Sequence, residues 1–288
     1  MSSYYAIVFG RNGASNISNA LESLMNQTIR PAKIIIIDDG STDGMAEIVF
    51  KFAQDHPDIA EAYETNSKIS DFSKLPLLWN HGLRKGFDYH LIIPNDIVIA
   101  PNYAELILKE MDNNPLLIVC SGDYGNKTAI SPHGGGRFVR QDFFFEHYPN
   151  GYARKLGYES EILERAFLLG FQTKVIHEAD IIHKDALGHS HNFSEFGYGM
   201  KCLGYYPPYA LARVVWDFFH NKSVGKKGSL RMLYYYLTFT PDDEGYYSRF
   251  DEELCRKIYN RQKKRLFQAM IYILLGKPYT FYKKRFKK

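Results

Sequence analysis

The stretch that decides the fold spans residues 34–43 and has the sequence IIIIDDGSTD. Four β-branched residues in succession are typical of a strand that is covered on both faces. The Ser-Thr-Asp sequence that ends the stretch contains residue types that begin a helix. We therefore expect Asp38 and Asp39 to lie at the carboxyl end of a buried strand, where open α/β sheets bind their ligands.

Two other kinds of binding site are compatible with an acidic strand end. A calcium loop is suggested by Asp39, Ser41 and Asp43, but Phe50 stands where such a loop needs a bidentate Glu. A dinucleotide site would also place an acid after the second strand. However, residues 10–15 read GRNGAS and lack the Gly-x-Gly-x-x-Gly turn. The simplest alternative, that Asp39 and Asp43 only cap the next helix, remains open.

Strand and helix patterns alternate along the first 120 residues. The expected strands cover residues 4–9, 34–37, 89–94 and 116–120. The expected helices cover residues 17–25, a stretch lined by Ile48, Val49 and Phe52, and residues 75–85 and 103–111. This alternation predicts an α/β fold with a mainly parallel sheet and helices on both faces. Residues 121–137, with glycines at 134–136, predict a loop or an edge strand, before a helix at 158–169 and a strand at 172–176.

The last third of the chain differs in composition from the first two thirds. After about residue 191 it is rich in Tyr, Phe, Pro and basic residues, and it predicts helices at 209–220 and 250–275 with a loop at 221–229. We expect a catalytic domain at residues 1–190 and a helical region at residues 191–288.

Four motifs, in order, resemble those of family 2 glycosyltransferases with the GT-A fold. They are IIIIDDGSTD, LIIPNDIV at residues 91–98, LGYESE at residues 156–161 and HEADIIH at residues 177–183. The resemblance covers roughly residues 3–190 and is closest in style to rhamnosyl and galactofuranosyl transferases. It implies inverting transfer of a sugar from a UDP- or dTDP-linked donor to a hydroxyl group. The acceptor would be a glycan or a polyprenyl-linked intermediate of surface polysaccharide assembly.

The resemblance also implies a set of nucleotide-binding residues. These are Phe9, Arg11, Asn12, Asp38, Asp39, Gly40, Asn80 and Asn95. One of the two aspartates would accept a hydrogen bond from the imide N–H of a pyrimidine base.

A divalent ion, Mn²⁺ or Mg²⁺, is implied at the end of the LIIPNDIV strand. Asp96 and His183 match the family's metal positions, although Pro94 stands where the family has a first acid. Such ions often bind through one or two carboxylates plus substrate phosphates and water. His177, His189 and His191 are competing histidines, and a structural histidine is the alternative reading.

The third motif places a carboxylate at the family's catalytic position. Glu159 would take the proton of the acceptor hydroxyl, and apolar surroundings would raise its pKa into a useful range. Arg137 and Glu161 are candidates for contacts with phosphate or acceptor. The alternative is that Glu159 and Glu161 are favourable acids in the first turn of a helix.

Charge is distributed unevenly along the chain. Residues 254–288 hold 12 Lys and Arg and no acidic residue, whereas the preceding 253 residues carry 24 basic and 32 acidic residues. The apolar stretch at residues 266–275, bracketed by basic clusters, predicts a helix on an anionic membrane surface. With no signal peptide or membrane span recognisable, we expect a cytoplasmic protein on the inner face of the membrane. Nucleic-acid binding is disfavoured because the body is acidic, and a non-catalytic sugar-nucleotide-binding protein remains an alternative.

Overall fold

The computed structural model describes residues 2–67, 69, 72–124, 129, 131–183, 193–220 and 224–275. Within these ranges the chain forms two compact units. The first contains the described parts of Met1–Ala153 and Gly170–Ala186, and the second those of Arg154–Leu169 and Leu187–Lys288. The division at Ala186 lies near the expected boundary, but residues 154–169 group with the second unit.

The first unit contains the strands and five of the helices. The strands are β1 (Tyr4–Gly10), β2 (Lys33–Asp38), β3 (Ala60–Glu64), β4 (Tyr89–Pro94), β5 (Ile97–Ile99), β6 (Leu117–Asp123), β7 (Arg137–Arg140) and β8 (Gln172–His183). The helices are α1 (Ile17–Met25), α2 (Met45–Asp55), α3 (Leu75–Gly82), α4 (Tyr103–Asp112) and α5 (Gln141–His147), with a short 3-10 helix at Phe72–Lys74.

The strands form one mixed sheet in the order β3-β2-β1-β4-β7-β6-β8-β5. The β3-β2, β2-β1, β1-β4 and β6-β8 pairs are parallel, and the other three pairs are antiparallel. The predicted α/β class is therefore confirmed, with four of the seven described pairings parallel.

Helices cover both faces of β1 and β2, as the isoleucine run predicts. On one face Ile34 and Ile36 join a core with Leu21 of α1 and Val49 of α2. On the other face Ile37 lies against Gly82 of α3, so closely that a Cβ on this glycine would be 3.3 Å from the Ile37 side chain. Burial on both faces explains why the middle of this strand, residues 34–37, consists only of isoleucine.

The glycine-rich segment does not form an edge of the sheet. It leads into β7, which lies between β4 and β6 in the interior of the sheet. Glycine is required at position 135 because a Cβ there would be 2.3 Å from the Ile97 side chain. The Gly136 N–H donates to the Ile92 carbonyl at 2.8 Å. The chain thus passes directly beside the end of β4.

The second unit is helical in its described part. Its helices are α6 (Tyr158–Leu168), α7 (Phe193–Cys202), α8 (Pro207–His220), α9 (Gly225–Thr238) and α10 (Glu252–Leu274). The expected loop at residues 221–229 is wrong from Gly225 onward, because α9 begins there. Gly228 mediates close packing, since a Cβ at this position would be 2.9 Å from the Phe193 ring. No helix in the described ranges is both long and apolar enough to span a bilayer.

Candidate functional site

The candidate site lies where the order of the strands reverses. From β1 the chain moves outward through β2 and β3, and then returns to place β4 on the other side of β1. Open α/β sheets bind ligands at such a switch point. The loops after these strands meet there: the Asp39 N–H donates to Gly10 O, and the Asn95 N–H donates to Phe9 O, both at 2.9 Å.

The loops after β1 and β2 are joined by side chains. The Asn12 N–H donates to Ser41 Oγ at 2.9 Å, and Asn12 Oδ1 accepts from the Thr42 N–H at 2.9 Å. Asp43 accepts from the Ala14 N–H at 2.8 Å and from the Met45 N–H at 3.1 Å, so it also contacts the first residue of α2. Asn12 has a φ of 55°, a conformation that asparagine tolerates well. The two loops therefore form one rigid rim.

Asp39 joins the ends of β2 and β3. Its buried carboxylate accepts from Thr65 Oγ1 at 3.1 Å and from the Ser67 N–H and Oγ at 3.1 and 3.0 Å. Lys74 of the 3-10 helix forms an ion pair with it at 3.2 Å. Burial opposes ionisation, but Ser67 and Lys74 outweigh it and lower the pKa of Asp39. Asp39 is thus an ionised centre of the rim, and sequence patterns did not reveal its partner Lys74.

Asp38 is equally buried but has fewer contacts. Its Oδ2 accepts from the Ser41 N–H at 2.9 Å, whereas Oδ1 has no hydrogen-bond partner in the described part of the chain. Within this turn the backbone needs glycine, because Gly40 has a φ of 68°. Both aspartates therefore stand at the rim, in the position that the sequence predicts.

Asn95 packs against the loop that follows β1. A Cβ on Gly13 would lie 1.5 Å from Asn95 Nδ2, and one on Gly10 would lie 2.3 Å from Asn95 Cγ. The two glycines of the GRNG sequence thus accommodate this amide. Arg11, between them, is exposed.

Asn80 has backbone partners within the first unit. Its Nδ2 donates to Tyr152 O at 2.9 Å, and its Oδ1 accepts from the Tyr152 N–H at 2.7 Å. Phe9 is buried, with its ring centroid 6.0 Å from that of Trp79. Contacts of Asn80 and Phe9 with a nucleotide stay predictions.

The two predicted metal ligands come from adjoining strands. Asp96 directly precedes β5, and Ile97 at the start of β5 is the pairing partner of His183 at the end of β8. A carboxylate and an imidazole at adjacent backbone positions fit Mn²⁺ or Mg²⁺ when phosphate and water complete the coordination. Among the described residues, no three His, Cys, Asp or Glu side chains are placed so that they could together hold a metal ion. The His183 side chain, His189 and His191 lie outside the described part.

A second polar cluster, which the sequence analysis missed, lies at the end of β6. Asp123 accepts from the Tyr124 N–H at 2.8 Å, and its Oδ2 lies 2.7 Å from His177 Nδ1. Burial opposes ionisation of Asp123, but His177 and the backbone N–H groups outweigh it and lower its pKa. His133 Nε2 lies 3.9 Å from Asp123 Oδ1. Burial lowers the pKa of His133 to about 4. The sequence analysis named His177 only as a competing metal ligand, and it placed Asp123 in the expected loop after the strand at residues 116–120.

The strand directions place this cluster at the same edge of the sheet as the rim. Because β7 is antiparallel to both β4 and β6, the carboxyl ends of β4 and β6 lie at one edge, two strand spacings apart. The ionised Asp123 accepts from the Nδ1–H of His177 and so fixes the orientation of the ring. Arg137 is buried nearby and donates from Nε to His133 O at 2.8 Å. Its contact with phosphate or acceptor stays a prediction.

Glu159 and Glu161 belong to the second unit, in the first turn of α6. Glu159 is half-buried, whereas Glu161 is buried and pairs with Arg165 Nε at 2.6 Å. Arg165 Nη2 also forms an ion pair with Asp251 Oδ2 at 3.2 Å. This pairing gives Glu161 a role in holding α6, and its predicted contact with acceptor remains untested.

The mixed sheet, its helical layers and the polar rim at the switch point define an α/β protein of the GT-A fold class. Residues 5–163 match the sequence profile of Glycosyl transferase family 2, and the chain belongs to this family. The resemblance inferred from four motifs is therefore confirmed.

Comparisons with individual proteins support the same fold. The poly-beta-1,6-N-acetyl-D-glucosamine synthase of Staphylococcus epidermidis is 27% identical over 122 residues, which are 41% of this chain and 28% of that protein. The chain thus spans less than a third of this relative. The mannosyltransferase PcManGT from Pyrobaculum calidifontis, in complex with GDP-Man and Mn²⁺, has a TM-score of 0.56 at 13% identity, covering 98% of this chain and 82% of that one. S. aureus TarS 1-349 in complex with UDP-GlcNAc has a TM-score of 0.54 at 14% identity, covering 82% and 71%.

Proposed function

We propose that this protein transfers a sugar from a nucleoside-diphosphate donor to a hydroxyl group of an acceptor. The observation that carries the proposal is the rim at the switch point, where loops after four parallel strands are joined around the ionised Asp39. A preorganised polar edge of this kind suits a nucleotide, since the protein does not have to order it on binding. The complexes of TarS with UDP-GlcNAc and of PcManGT with GDP-Man support the donor class.

Different residues of the rim recognise different parts of the donor. One of the aspartates, Asp38 or Asp39, accepts from the imide N–H of a uracil or thymine base, because a carboxylate oxygen is the complement of that donor. Arg11 is exposed on the adjoining loop and supplies positive charge for the diphosphate. Gly40 keeps the turn between the aspartates and α2 free of a side chain.

Asp96 and His183 would hold Mn²⁺ or Mg²⁺ beside the diphosphate. When bound, the ion supplies positive charge that stabilises the departing nucleotide. The Mn²⁺ in the PcManGT complex supports this part of the proposal. Asp96 stands in the two-residue turn between β4 and β5, so that its position is set by these two strands.

Glu159 serves as the base of an inverting displacement. The acceptor oxygen attacks the anomeric carbon while the bond from that carbon to the diphosphate breaks, and the acceptor proton passes to Glu159. We propose residues 1–190 as the catalytic domain and residues 191–288 as the acceptor and membrane side. The acceptor is a glycan or polyprenyl-linked intermediate of surface polysaccharide, handled at the inner face of the cell membrane, in keeping with the polysaccharide synthase among the relatives.

A ligand screen tests the donor. Thermal unfolding is followed with UDP-, dTDP- and GDP-linked sugars, each with Mn²⁺ and with EDTA, because a ligand that binds the folded state raises the midpoint. A UDP- or dTDP-sugar is expected to raise it with Mn²⁺ and much less with EDTA. Stabilisation by no nucleotide sugar would refute the proposal at its first step.

The base is tested by turnover of the donor found in that screen. Glu159→Gln is expected to keep donor binding and to lose about 10²- to 10⁴-fold in turnover. Glu178→Gln removes an exposed carboxylate from β8 and serves as the matched control. Equal turnover in Glu159→Gln and wild type would exclude Glu159 as the base. Donor binding without any turnover by the wild type would instead indicate a non-catalytic binding protein.

A further inference from the structure

The helices α8, α9 and α10 each expose a stripe of large apolar side chains. Their exposed fractions range from 38% to 83%. The residues are Leu211, Val215, Trp216 and Phe219 on α8, Leu230, Tyr234 and Leu237 on α9, and Phe267, Met270, Ile271 and Leu274 on α10. We call these eleven residues the apolar face. Their spacings of three, four and seven positions keep each stripe on one side of its helix.

Each stripe lies on the side of its helix that is turned away from the core. On α8 the buried residues Ala210 and Val214 lie opposite Phe219, and on α10 the buried Ile258 lies opposite Phe267. On α9 the buried residue Met232 marks the side of the helix that faces the core. These helices are thus apolar on both sides, whereas a helix that faces water is polar on its outer side.

This pattern is confined to the second unit. The exposed large apolar residues in the described part of the first unit are scattered and come from different elements: Phe50, Phe72, Leu77, Leu116 and Ile182. Single residues of this kind are normal on a protein surface. Periodic stripes on helices that pack against one another, as α8 does with both α9 and α10, mark an interaction surface.

Basic side chains accompany the apolar face. Lys226 and Lys227 are exposed in the first turn of α9, which contains no acidic residue. Lys263 and Lys264 are exposed on α10, which has no acidic residue after Glu253. An apolar surface bordered by lysines is complementary to a surface that combines negative charge with hydrocarbon.

A groove on α10 shows both kinds of group side by side. It has a volume of about 360 Å³ and is lined by Lys263 and Lys264 together with Tyr206, Phe267 and Met270. The ammonium groups suit a phosphate, and the aromatic and thioether walls suit the upper part of an acyl chain. These are the two parts of an anionic lipid at the level of its headgroup.

We propose that the apolar face docks on the headgroup region of an anionic lipid bilayer. A second copy of the chain fits less well, because it would bring the same lysines against each other. Trp and Tyr side chains are typical of the boundary between membrane and water. The surface includes the expected membrane segment at residues 266–275 and adds α8 and α9 to it, while residues 276–288 lie outside the described part. Its purpose, access to a lipid-linked acceptor, rests on the proposed function.

Vesicle flotation without nucleotide sugar tests the proposal directly. The full chain is mixed with vesicles of phosphatidylcholine alone, or of phosphatidylcholine and phosphatidylglycerol in equal parts. We expect binding to the anionic vesicles that weakens at high salt, because exposed charges are then screened. Equal binding to both vesicle types, or to neither, would overturn the proposal.

Two sets of variants locate the contact. Trp216→Ser combined with Phe219→Ser removes apolar area from α8, and Lys263→Gln combined with Lys264→Gln is expected to weaken binding about fivefold for each lysine. Phe50→Ser combined with Leu116→Ser removes exposed apolar area from the first unit and should leave binding unchanged. Wild-type flotation of the α8 variant, with an unchanged unfolding midpoint, would exclude α8 from the contact and refute the surface as defined.

The oligomeric state distinguishes a lipid bilayer from a second copy of the chain as the partner of the apolar face. If light scattering shows that the wild type is a dimer and that the α8 variant is a monomer, a second copy covers the apolar face and the proposal fails. Donor binding in solution is measured on the same variants and is expected to be unchanged. A protein that floats but binds no nucleotide sugar would refute the proposed function and leave the docking surface intact.

Discussion

Replacing Asp39 with Asn removes the charge at the centre of the rim. Asn keeps one oxygen acceptor, but its NH₂ group must then face either the donors of Ser67 or the ammonium group of Lys74. Lys74 is only 16% exposed, so it loses its partner in a largely desolvated position. Breaking a fully buried ion pair costs about 3–5 kcal/mol, and the partial hydration of Lys74 reduces this. We expect the free energy of unfolding to fall by about 2–4 kcal/mol.

Urea unfolding at neutral pH measures this loss, provided that the m-value stays constant. Asp58→Asn is the matched control, since it removes the same charge from an exposed position and should change stability by about 0.5 kcal/mol or less. Lys74→Met and the double variant complete a cycle whose coupling energy isolates the ion pair. Additive effects in this cycle would show that Asp39 and Lys74 do not interact.

The pH dependence gives a second check on the same residue. The pKa of Asp39 is lowered in the folded protein, so its stabilisation is present above the pKa of the unfolded chain, about 4, and is lost as pH falls through the folded value. The difference between wild type and Asp39→Asn should therefore be full at neutral pH and shrink below about pH 4. An Asn variant as stable as the wild type, or a difference that persists undiminished in acid, would refute the reasoning.

Three further predictions concern the neighbouring parts of the site. Gly13→Ala places a Cβ 1.5 Å from Asn95 Nδ2, so urea unfolding should show a loss of about 1–3 kcal/mol that adding Asn95→Ala largely restores; an unrestored loss would mean that another contact matters. Asp123→Asn should lower the free energy of unfolding by about 1–3 kcal/mol, and it removes the carboxylate that holds the Nδ1 proton of His177. ¹⁵N NMR of the His177 ring should then show a change of tautomer, and an unchanged ring spectrum would contradict the pairing. Asp96→Ala should abolish the extra rise in unfolding midpoint that Mn²⁺ gives with a donor sugar, and a variant that keeps this rise would exclude Asp96 as a ligand.

The parts of the fold that were predicted correctly are those with strong periodic burial. The pattern predicted the boundaries of α1, which buries its apolar residues at helical spacing. It also predicted the boundaries of β4 and the run in β2, which are buried along almost their whole length. The edge strand β3 was missed, since its sequence AEAYE is half exposed and lacks β-branched residues. The strand β5 has only three residues, too few for a pattern.

The candidate site was predictable only in its main-chain positions. Strand ends identified Asp38, Asp39 and Asp96, because the carboxyl ends of parallel strands meet at one edge of the sheet. The partners of these residues were not predictable. Lys74 reaches Asp39 from a 3-10 helix, and His177 reaches Asp123 across 54 positions of sequence.

By itself, the sequence determined the layer architecture, the acidic strand ends and the basic C-terminal region, since residue type and local spacing carry these features. Only the tertiary structure decided what each polar side chain contacts. Asn12 accepts a hydrogen bond from the Thr42 N–H, and Asn95 packs against Gly10 and Gly13. Lys74 pairs with Asp39. It also decided that α8 and α9 are apolar on their outer sides. Contacts of this kind depend on strand register and helix rotation, which arise from packing between segments distant in the chain.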